Sequence, residues 1–179
     1  MMKMTTMKKI PTEIERKFLI RKPEESALAA MDGCIVSHIR QTYLTSEDGA
    51  VERVRKREYP GRTVYTHTIK RRTGKMSALE DETEIDAREY ADLLVRAAPG
   101  RVPIEKTRCA IPYADHVAEV DLYPFWQNQA VLEIELTDPE DPVPFPPFLQ
   151  LIREVTGDHA YSNNALAQAV PPEDPKYSK

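Results

Sequence analysis

The chain has 179 residues, of which 41% are hydrophobic and 30% charged, and its formal net charge is −4. This composition is typical of a soluble globular protein and excludes an intrinsically disordered chain. No apolar run is long enough to span a membrane, and the negative charge argues against a general binder of nucleic acid or anionic membranes. Cys34 and Cys109 are too few for a disulfide framework, and no apolar stretch follows the basic N-terminus. We therefore expect a cytoplasmic protein with reduced thiols.

Extended segments dominate the first half of the chain. In PTEIERKFLI (Pro11–Ile20) charged side chains stand at alternate positions, which predicts a β-strand. A short helix is predicted next, over Pro23–Met31, with proline and glutamate in its first turn. Four further strands follow, the second and third joined by the turn sequence YPG: Val36–Leu44, Val51–Glu58, Arg62–Arg72 and Ser77–Ile85.

The second half combines helices with the remaining strands. Asp86 is a good N-cap for a helix over Ala87–Ala98, which carries an apolar stripe. Three strands are then predicted: Val102–Ile111, Val117–Tyr123 and Ala130–Thr137. The proline-rich stretch Asp138–Pro147 is predicted to cross the surface. Two helices should follow it, over Phe148–Gly157 and, capped by Ser162, over Asn163–Ala169.

Eight strands without an interior linker predict one domain. It spans residues 1–179, with a core at about 11–170 and a flexible tail at 171–179. Short strands in this number close best as an antiparallel barrel, because closure removes exposed edges. The expected fold class is therefore mainly β (α+β), a closed eight-stranded antiparallel β-barrel with flanking α-helices. A monomer and a homodimer are both left open.

Charged residues recur two positions apart on seven of these eight strands. The pairs or triplets are Glu13, Glu15 and Lys17; Arg53 and Arg55; Lys70 and Arg72; Glu82 and Glu84; Lys106 and Arg108; Glu119 and Asp121; Glu133 and Glu135. One interpretation is a solvated sheet face. However, several strands carry a single sign of charge, and the amphipathic helices can cover the opposite, apolar face. The charges then line the inside of the barrel, which must hold counterions and an anionic ligand.

The types of charge indicate which ligand this interior would bind. Six cations suit the phosphates of one small molecule: Lys17, Arg53, Arg55, Lys70, Lys106 and Arg108. Glu13 and Glu15 come from the first strand, and Glu133 and Glu135 from the last, which are often neighbours in a closed barrel. Carboxylates together with substrate phosphates are typical ligands of Mg²⁺. The pattern predicts metal-assisted phosphoryl transfer.

The same residues resemble the CYTH, or triphosphate tunnel metalloenzyme, superfamily over about residues 11–170. EIERK matches the ExExK signature, and the further motifs follow in order: QTYL, RxR, TxK, EKTR, ExD, ExE and YSNNAL. The resemblance implies a tunnel in which the six cations contact a triphosphate. It also implies Mg²⁺ or Mn²⁺ held by acidic residues, here Glu13, Glu15, Asp121, Glu133 and Glu135. Glu13, Glu15 and Lys17 are the expected catalytic residues, while Glu82 and Glu84 could instead be structural partners of the arginines.

The favoured function is metal-dependent hydrolysis of triphosphate substrates, above all inorganic tripolyphosphate. A class IV adenylate cyclase and a thiamine triphosphatase remain alternatives on the same fold. A non-catalytic module that binds polyphosphate or nucleotides is a further alternative, but it would gain nothing from carboxylates that repel phosphate. The expected partner is a small-molecule polyphosphate, with neither nucleic acid nor membrane.

Overall fold

The computed structural model describes residues 12–143 and 145–176 of the chain. Nine strands lie in these ranges: β1 (Thr12–Arg21), β2 (Ile35–Leu44), β3 (Val51–Tyr59), β4 (Arg62–Arg72), β5 (Ser77–Ile85), β6 (Ile104–Tyr113), β7 (His116–Leu122), β8 (Gln129–Glu135) and β9 (Leu151–Glu154). The first eight agree with the predicted strands to within a few residues at each end. Pro11, the predicted start of the first strand, lies outside the described residues.

The first eight strands close into an antiparallel barrel, as the sequence predicts. Around the barrel the order is β1, β8, β7, β6, β2, β3, β4 and β5, and β5 then pairs with β1. The β1–β5 contact is short, since it joins Thr12–Ile14 to Ser77–Leu79. The first and last barrel strands are neighbours, with Glu15 opposite Glu135. Closure therefore directs the inner side chains of all eight strands toward one space.

The segment after the proline-rich crossing contains a strand, whereas the sequence predicts a helix over Phe148–Gly157. β9 pairs with β1 and places Arg153 opposite Leu19. β5 pairs with this edge of β1 only as far as Ile14, and β9 covers the same edge further along the strand. The backbone groups of that edge need hydrogen-bond partners, and a ninth strand supplies them. The predicted helix is wrong because pairing with this edge outweighs the local preference of the segment.

The predicted hairpin at YPG joins β3 and β4, and its loop has two residues because Tyr59 belongs to β3. Tyr59 pairs with Arg62 across Pro60 and Gly61, and Gly61 has a φ of 79°. Proline fixes its own φ near −65°, so a positive φ at the next residue makes this a type II turn. Glycine adopts that positive φ without strain. The YPG signal is confirmed.

Three short α-helices lie within the described residues: α1 (Glu25–Ala29), α2 (Ala87–Leu93) and α3 (Asn163–Leu166). Each is shorter than its prediction. α2 begins at the predicted N-cap, since the Asp86 carboxylate accepts two backbone N–H groups, but it ends early where a 3-10 helix follows at Leu94–Arg96. Ser162 caps α3 as predicted.

The outer face of the barrel is apolar and covered. Over β1, β8, β7 and β6 it packs against α1, through Leu28, and against the proline-rich crossing, through Val143 and Phe145. Over β2 and β3 it packs against α2, where Tyr90 contacts a cluster that includes Val54. Because successive side chains of a strand alternate, the charged residues between these apolar ones face inward.

A second apolar cluster fills one end of the barrel interior. It combines inward-facing residues of the strands with residues from the connections beyond them: Leu19, Tyr43, Ile104, Val131, Tyr123, Trp126, Tyr161 and Leu166. Trp126 is 1% exposed and packs within this cluster. The charged part of the interior begins where this apolar cluster ends.

The start of the C-terminal tail contacts the connection between β7 and β8. Trp126 Nε1 donates to the Pro171 carbonyl oxygen at 3.0 Å, and Asn128 donates two hydrogen bonds to the Glu173 carboxylate at 2.6 and 2.9 Å. Residues 177–179 lie outside the described part of the chain. In the described part, none of the helices has the length and apolar character needed to cross a membrane.

Candidate active site

The inward-facing charges surround a cavity of about 660 Å³. All eight barrel strands contribute to its wall, together with residues 155–164, which follow β9. The predicted site residues that line it are Glu13, Glu15, Lys17, Arg53, Arg55, Lys70, Arg108, Glu133 and Glu135. Lys106 and Asp121 do not line it. The charged face is therefore an interior surface rather than a solvated outer face.

Asp121 and Lys106 lie behind the cavity wall in a buried ion cluster. Asp121 accepts two hydrogen bonds of 2.7 Å from Arg108 and one of 2.5 Å from Lys106. The side chains of Asp121 and Lys106 are 0% exposed. Burial acts to raise the pKa of Asp121, but Arg108 and Lys106 outweigh it and hold that pKa below its ordinary value. Burial and the adjacent Arg108 lower the pKa of Lys106 to about 8, because two cations share one carboxylate. Asp121 thus fixes Arg108 in the wall.

Glu133 joins two cations across the cavity wall. Its carboxylate lies 2.9 Å from Lys17 Nζ and 2.7 Å from Arg108 Nη2. Burial favours the protonated acid, yet Lys17 and Arg108 hold the pKa of Glu133 well below its ordinary value. Burial likewise acts to lower the pKa of Lys17, but Glu133 and Glu15 raise it overall. Both groups of this pair are therefore charged at neutral pH.

Glu80 connects two predicted substrate contacts on the opposite side of the cavity. Its carboxylate lies 3.1 Å from Arg53 and 3.2 Å from Lys70, which also contacts Glu13. Burial is the main cause that raises the pKa of Glu13 to about 7, and neighbouring carboxylates add to it against the effect of Lys70. Glu80 was not among the predicted site residues, although it stands two residues before Glu82 on the same strand. That spacing could have identified it.

Arg55 is poorly compensated by negative charge. Its ion-pair partner is Glu82, whose Oε2 lies 3.9 Å from Arg55 Nη1. Arg55 Nη2 also donates a long hydrogen bond of 3.4 Å to Gln41 Oε1. Within the described residues, the buried Nε atoms of Arg55 and Arg53 have no hydrogen-bond partner. Burial, and then Arg53 and Arg108, lowers the pKa of Arg55 to about 10. A buried guanidinium with unused donors is suited to an anion that enters the cavity.

Glu82 and Glu84, which the sequence could not assign to a site role or to a structural role, differ in their placement. Glu82 lines the cavity and accepts a 2.9 Å hydrogen bond from Thr68 Oγ1. Glu84 pairs with Thr66 further along the hairpin and is absent from the described cavity lining. Glu82 is thus a weak structural partner of an arginine, and Glu84 takes no part in the wall.

Three further cations line the cavity that were not among the six predicted substrate contacts: Arg57, Arg72 and Lys75. Arg57 stands two residues after Arg55 on the inner face of β3, and its Nε donates to Ser37 Oγ at 2.9 Å. Extending the RxR spacing by one more step would have found it. These additional positive charges favour an anion with several charged groups over a single phosphate.

Carboxylates of three adjacent strands face the same cavity: Glu13, Glu15, Glu119, Glu133 and Glu135. In the strand register, Glu15 lies opposite Glu135, and Glu119 lies opposite Glu133. Across residues 12–143 and 145–176, no three His, Cys, Asp or Glu side chains are already arranged to hold a metal ion. Glu13 and Glu133 are engaged by Lys70 and Lys17 instead.

The donor set nevertheless fits Mg²⁺ or Mn²⁺ in its chemistry. Mg²⁺ is usually held by one or two carboxylates plus substrate phosphates, so a cage of three carboxylates is not required. Carboxylates directly opposite one another, such as Glu15 and Glu135, repel each other unless a cation lies between them. Both Glu119 and Asp121 pair with Arg108, but Glu119 lines the cavity and is partly exposed, whereas Asp121 is fully buried behind the wall and also paired with Lys106, so Glu119 suits such a cation better.

No family model matches the chain. The inorganic triphosphatase of Nitrosomonas europaea is 33% identical over 162 residues, which cover 89% of this chain and 99% of that protein. A solved structure of an inorganic triphosphatase is 29% identical, with a TM-score of 0.55 over 89% of this chain and 100% of that chain. A protein from Pyrococcus horikoshii OT3 shares the fold at 21% identity, with a TM-score of 0.54 over 72% of this chain and 80% of that chain.

Proposed function

The chain belongs to the CYTH, or triphosphate tunnel metalloenzyme, family, and we propose that it hydrolyses inorganic tripolyphosphate with Mg²⁺ or Mn²⁺ as cofactor. The observation that carries this proposal is the division of charge inside the cavity. Cations predominate where β3 and β4 form the wall, and carboxylates predominate where β1, β7 and β8 form it; Glu80 is the oppositely charged partner on the first side and Lys17 on the second. Such a cavity matches an anion of several phosphates on one side and a divalent cation on the other.

The cavity cations bind the substrate in this proposal. Arg53 and Arg55 offer buried N–H groups without partners, which suit phosphate oxygens. Lys17, Lys70 and Arg108 add further positive charge in the wall: all three line the cavity. Lys106, the remaining predicted contact, acts indirectly, because it helps Asp121 to hold Arg108 in place.

The carboxylates hold the metal ion and direct the attacking water. Glu13, Glu15, Glu133 and Glu135 are the proposed metal ligands, together with Glu119 in place of Asp121. When bound, a divalent cation neutralises phosphate oxygens and the charge that develops on the leaving group. Glu13 and Glu15 orient the water, and Lys17, fixed by Glu133 at 2.9 Å, stabilises the phosphoryl group under attack.

Several features support hydrolysis rather than binding alone or cyclase activity. A cavity that only bound phosphate would be weakened by the carboxylates facing it, unless metal lies between them. The described lining contains a single aromatic ring besides His159, that of Tyr43, which is 4% exposed. Within the described lining, the exposed His159 imidazole would thus be the one ring on which a nucleobase or thiazole could stack. We further propose a cytoplasmic enzyme, monomeric or homodimeric, that acts on this small molecule and binds neither nucleic acid nor membranes.

The substrate is tested by incubating the purified protein with Mg²⁺ and, separately, tripolyphosphate, ATP or thiamine triphosphate. Phosphate release should be fastest from tripolyphosphate. Cyclic AMP as the main product from ATP would instead support the cyclase, and binding of tripolyphosphate without any hydrolysis would support the binding module.

The metal requirement is tested by adding EDTA and then restoring single metals. Activity should vanish in EDTA and return with Mg²⁺ or Mn²⁺. Excess Ca²⁺ should inhibit, because its longer bonds and larger number of ligands misplace the phosphates. Full turnover of metal-free substrate in EDTA would refute the metal-dependent mechanism.

A further inference from the structure

Two asparagine side chains face the cavity from outside the barrel strands. Asn163 and Asn164 begin α3, and both line the cavity. They belong to the YSNNAL motif, and the reaction proposed above uses neither of them.

A neighbouring donor orients each amide group. The Tyr123 hydroxyl donates to Asn163 Oδ1 at 2.6 Å, and Arg101 Nε donates to Asn164 Oδ1 at 2.8 Å. Since the amide oxygens accept these bonds, the amide nitrogens are turned the other way. Among residues 12–143 and 145–176, neither nitrogen has a hydrogen-bond partner. Each amide NH₂ group offers two donors, which leaves this side of the cavity with neutral donors and no bound acceptor.

The support behind Asn163 is rigid. Tyr123 is 1% exposed and packs edge-on against Trp126 with ring centroids 5.5 Å apart. On another side, Lys106 Nζ lies 5.6 Å from the centroid of the Tyr123 ring. A ring enclosed in this way keeps its hydroxyl, and hence the Asn163 amide, in one place.

The segment that carries the asparagines is also packed closely at its start. Gly157 has a φ of 74°, and a Cβ at this position would lie 2.4 Å from Lys75 Cγ. The segment therefore lies directly against the connection between β4 and β5. The segment is thus held at two points: Gly157 packs against Lys75, and Asn163 accepts a hydrogen bond from Tyr123.

The asparagines lie beside the apolar end of the cavity, away from Glu15 and Glu135, whereas Glu133 is two residues from Val131 of the apolar cluster. Glu15 stands near the start of β1, and Leu19 follows four residues later, about 13 Å further along a strand. Leu19 belongs to the apolar cluster that also contains Tyr123 and Leu166, beside the asparagines. A chain of phosphates that starts at Glu15 and Glu135 and extends past Lys17 would end near these amides.

We propose that Asn163 and Asn164 bind the terminal phosphate farthest from Glu15 and Glu135, and thereby select a polyphosphate whose end is unsubstituted. This inference rests on the proposed function, because it takes tripolyphosphate as the ligand. A free terminal phosphate presents three non-bridging oxygens to the amide donors. In a nucleoside triphosphate, that end carries an ester in place of one oxygen and a bulky group that meets the packed segment.

The test compares two amide-to-carboxylate changes in the same segment. Asn163→Asp puts a carboxylate where the terminal phosphate binds, whereas Gln168→Glu makes the same change at an exposed position outside the described cavity lining. Calorimetry with inorganic tripolyphosphate in metal-free buffer measures affinity without turnover. We expect Asn163→Asp to weaken binding at least about tenfold, as for loss of a hydrogen bond to a charged group. Gln168→Glu should bind like the wild type.

Kinetics with Mg²⁺ give a second readout. In Asn163→Asp, KM for tripolyphosphate should rise with kcat nearly unchanged, and the preference for tripolyphosphate over ATP should shrink. Tyr123→Phe, which removes the orienting hydroxyl, should raise KM in the same direction by a smaller factor. Asn163→Ala, which adds no charge, is used if the melting temperature of Asn163→Asp shows that it does not fold.

The outcomes separate this inference from the proposed function. Wild-type affinity in Asn163→Asp, or in Asn163→Ala where that variant is used, overturns the inference; so does a fall in kcat without a change in affinity. A wild-type protein that binds tripolyphosphate but fails to hydrolyse it contradicts the proposed function, while the binding comparison still decides the role of the asparagines. A wild-type protein that does not bind tripolyphosphate overturns both.

Discussion

At the scale of single residues, compensation by opposite charge separates the structural charges from the functional ones. Asp121 is enclosed by Arg108 and Lys106, with contacts of 2.5 to 2.7 Å. Arg55 is compensated far less within the described residues, since its ion-pair partner Glu82 lies at 3.9 Å. A poorly compensated buried charge destabilises the free protein and becomes favourable only when a ligand pairs with it.

Replacing Arg55 with methionine should therefore change stability and function in opposite directions. The free energy of unfolding of the ligand-free protein should rise by about 1–3 kcal/mol, because an apolar side chain replaces a buried cation that is only weakly paired. The value of kcat/KM for tripolyphosphate should fall at least about tenfold. Urea unfolding and phosphate release measure the two effects. Arg40→Met is the control, since Arg40 is 52% exposed and pairs with Glu105 on the outer face. Loss of stability in Arg55→Met would contradict this account.

Glu135→Gln tests the carboxylate wall. Glu135 is exposed in the cavity and lies opposite Glu15, so the change removes one of two facing negative charges. We expect kcat/KM to fall at least ~100-fold, which corresponds to about 2.7 kcal/mol of transition-state stabilisation. Stability of the metal-free protein should hold or rise, because repulsion is relieved. Tripolyphosphate kinetics and thermal melts provide the measurements, with the exposed Glu140→Gln as control. Wild-type kinetics in Glu135→Gln would exclude a role in metal binding.

The spacing of charges predicts which side chains face the interior, but not how deep each one lies. Lys106 and Arg108 have the same parity, yet Arg108 lines the cavity and the Lys106 side chain is 0% exposed. Depth depends on the tilt and register of neighbouring strands, which a single strand pattern does not contain. For the same reason, the sequence could not distinguish Glu119, which faces the cavity, from the buried Asp121.

At the scale of secondary-structure elements, β1 decides what its neighbours become. It pairs with β8 on one edge and with β5 and then β9 on the other. The eight barrel strands were predictable because each shows its own alternation of side chains. β9 was not, since a four-residue strand has too few positions to show a period, and its partner is more than a hundred residues away.

A pair of neighbouring substitutions in β9 tests this pairing. Ile152 packs against the apolar cluster at the barrel end, whereas Leu151 is 47% exposed. Ile152→Ser should lower the free energy of unfolding by about 1–3 kcal/mol, and Leu151→Ser by less than about 0.5 kcal/mol. Urea unfolding measures both. Equal losses for the two variants would indicate that this segment does not present alternate faces as a strand does.

At the scale of the whole molecule, the barrel encloses charges of both signs that are only partly paired. Two glutamates of this one cavity have pKa values shifted in opposite directions. Nearby cations lower the pKa of Glu133, whereas burial raises the pKa of Glu13. The free protein is thus less stable than a fully apolar barrel would be, and part of that free energy is recovered when metal and phosphate bind.

Glu13 links the stability of the entire fold to pH. Its pKa is raised from the ordinary value of 4.5 to about 7 in the folded protein, chiefly by burial. The folded state therefore binds this proton more tightly than the unfolded state, so Glu13 makes the metal-free protein more stable as pH falls through about 7. The gain is complete below the ordinary carboxyl pKa. Glu133, with its lowered pKa, acts the other way, but only once pH falls below that ordinary value.

Between pH 8 and pH 5.5, Glu13→Gln should consequently remove a pH-dependent part of the stability. At pH 8 the variant should be more stable than the wild type, because it lacks a buried ionised carboxylate that burial disfavours. At pH 5.5, where Glu13 is protonated in the folded state, the difference should shrink. Urea unfolding of both proteins in EDTA at the two pH values measures this difference, and Glu140→Gln, at an exposed position, should leave the wild-type profile unchanged. A constant difference between wild type and Glu13→Gln across this range would mean that Glu13 is already ionised at pH 5.5, and that Lys70 rather than burial controls its charge.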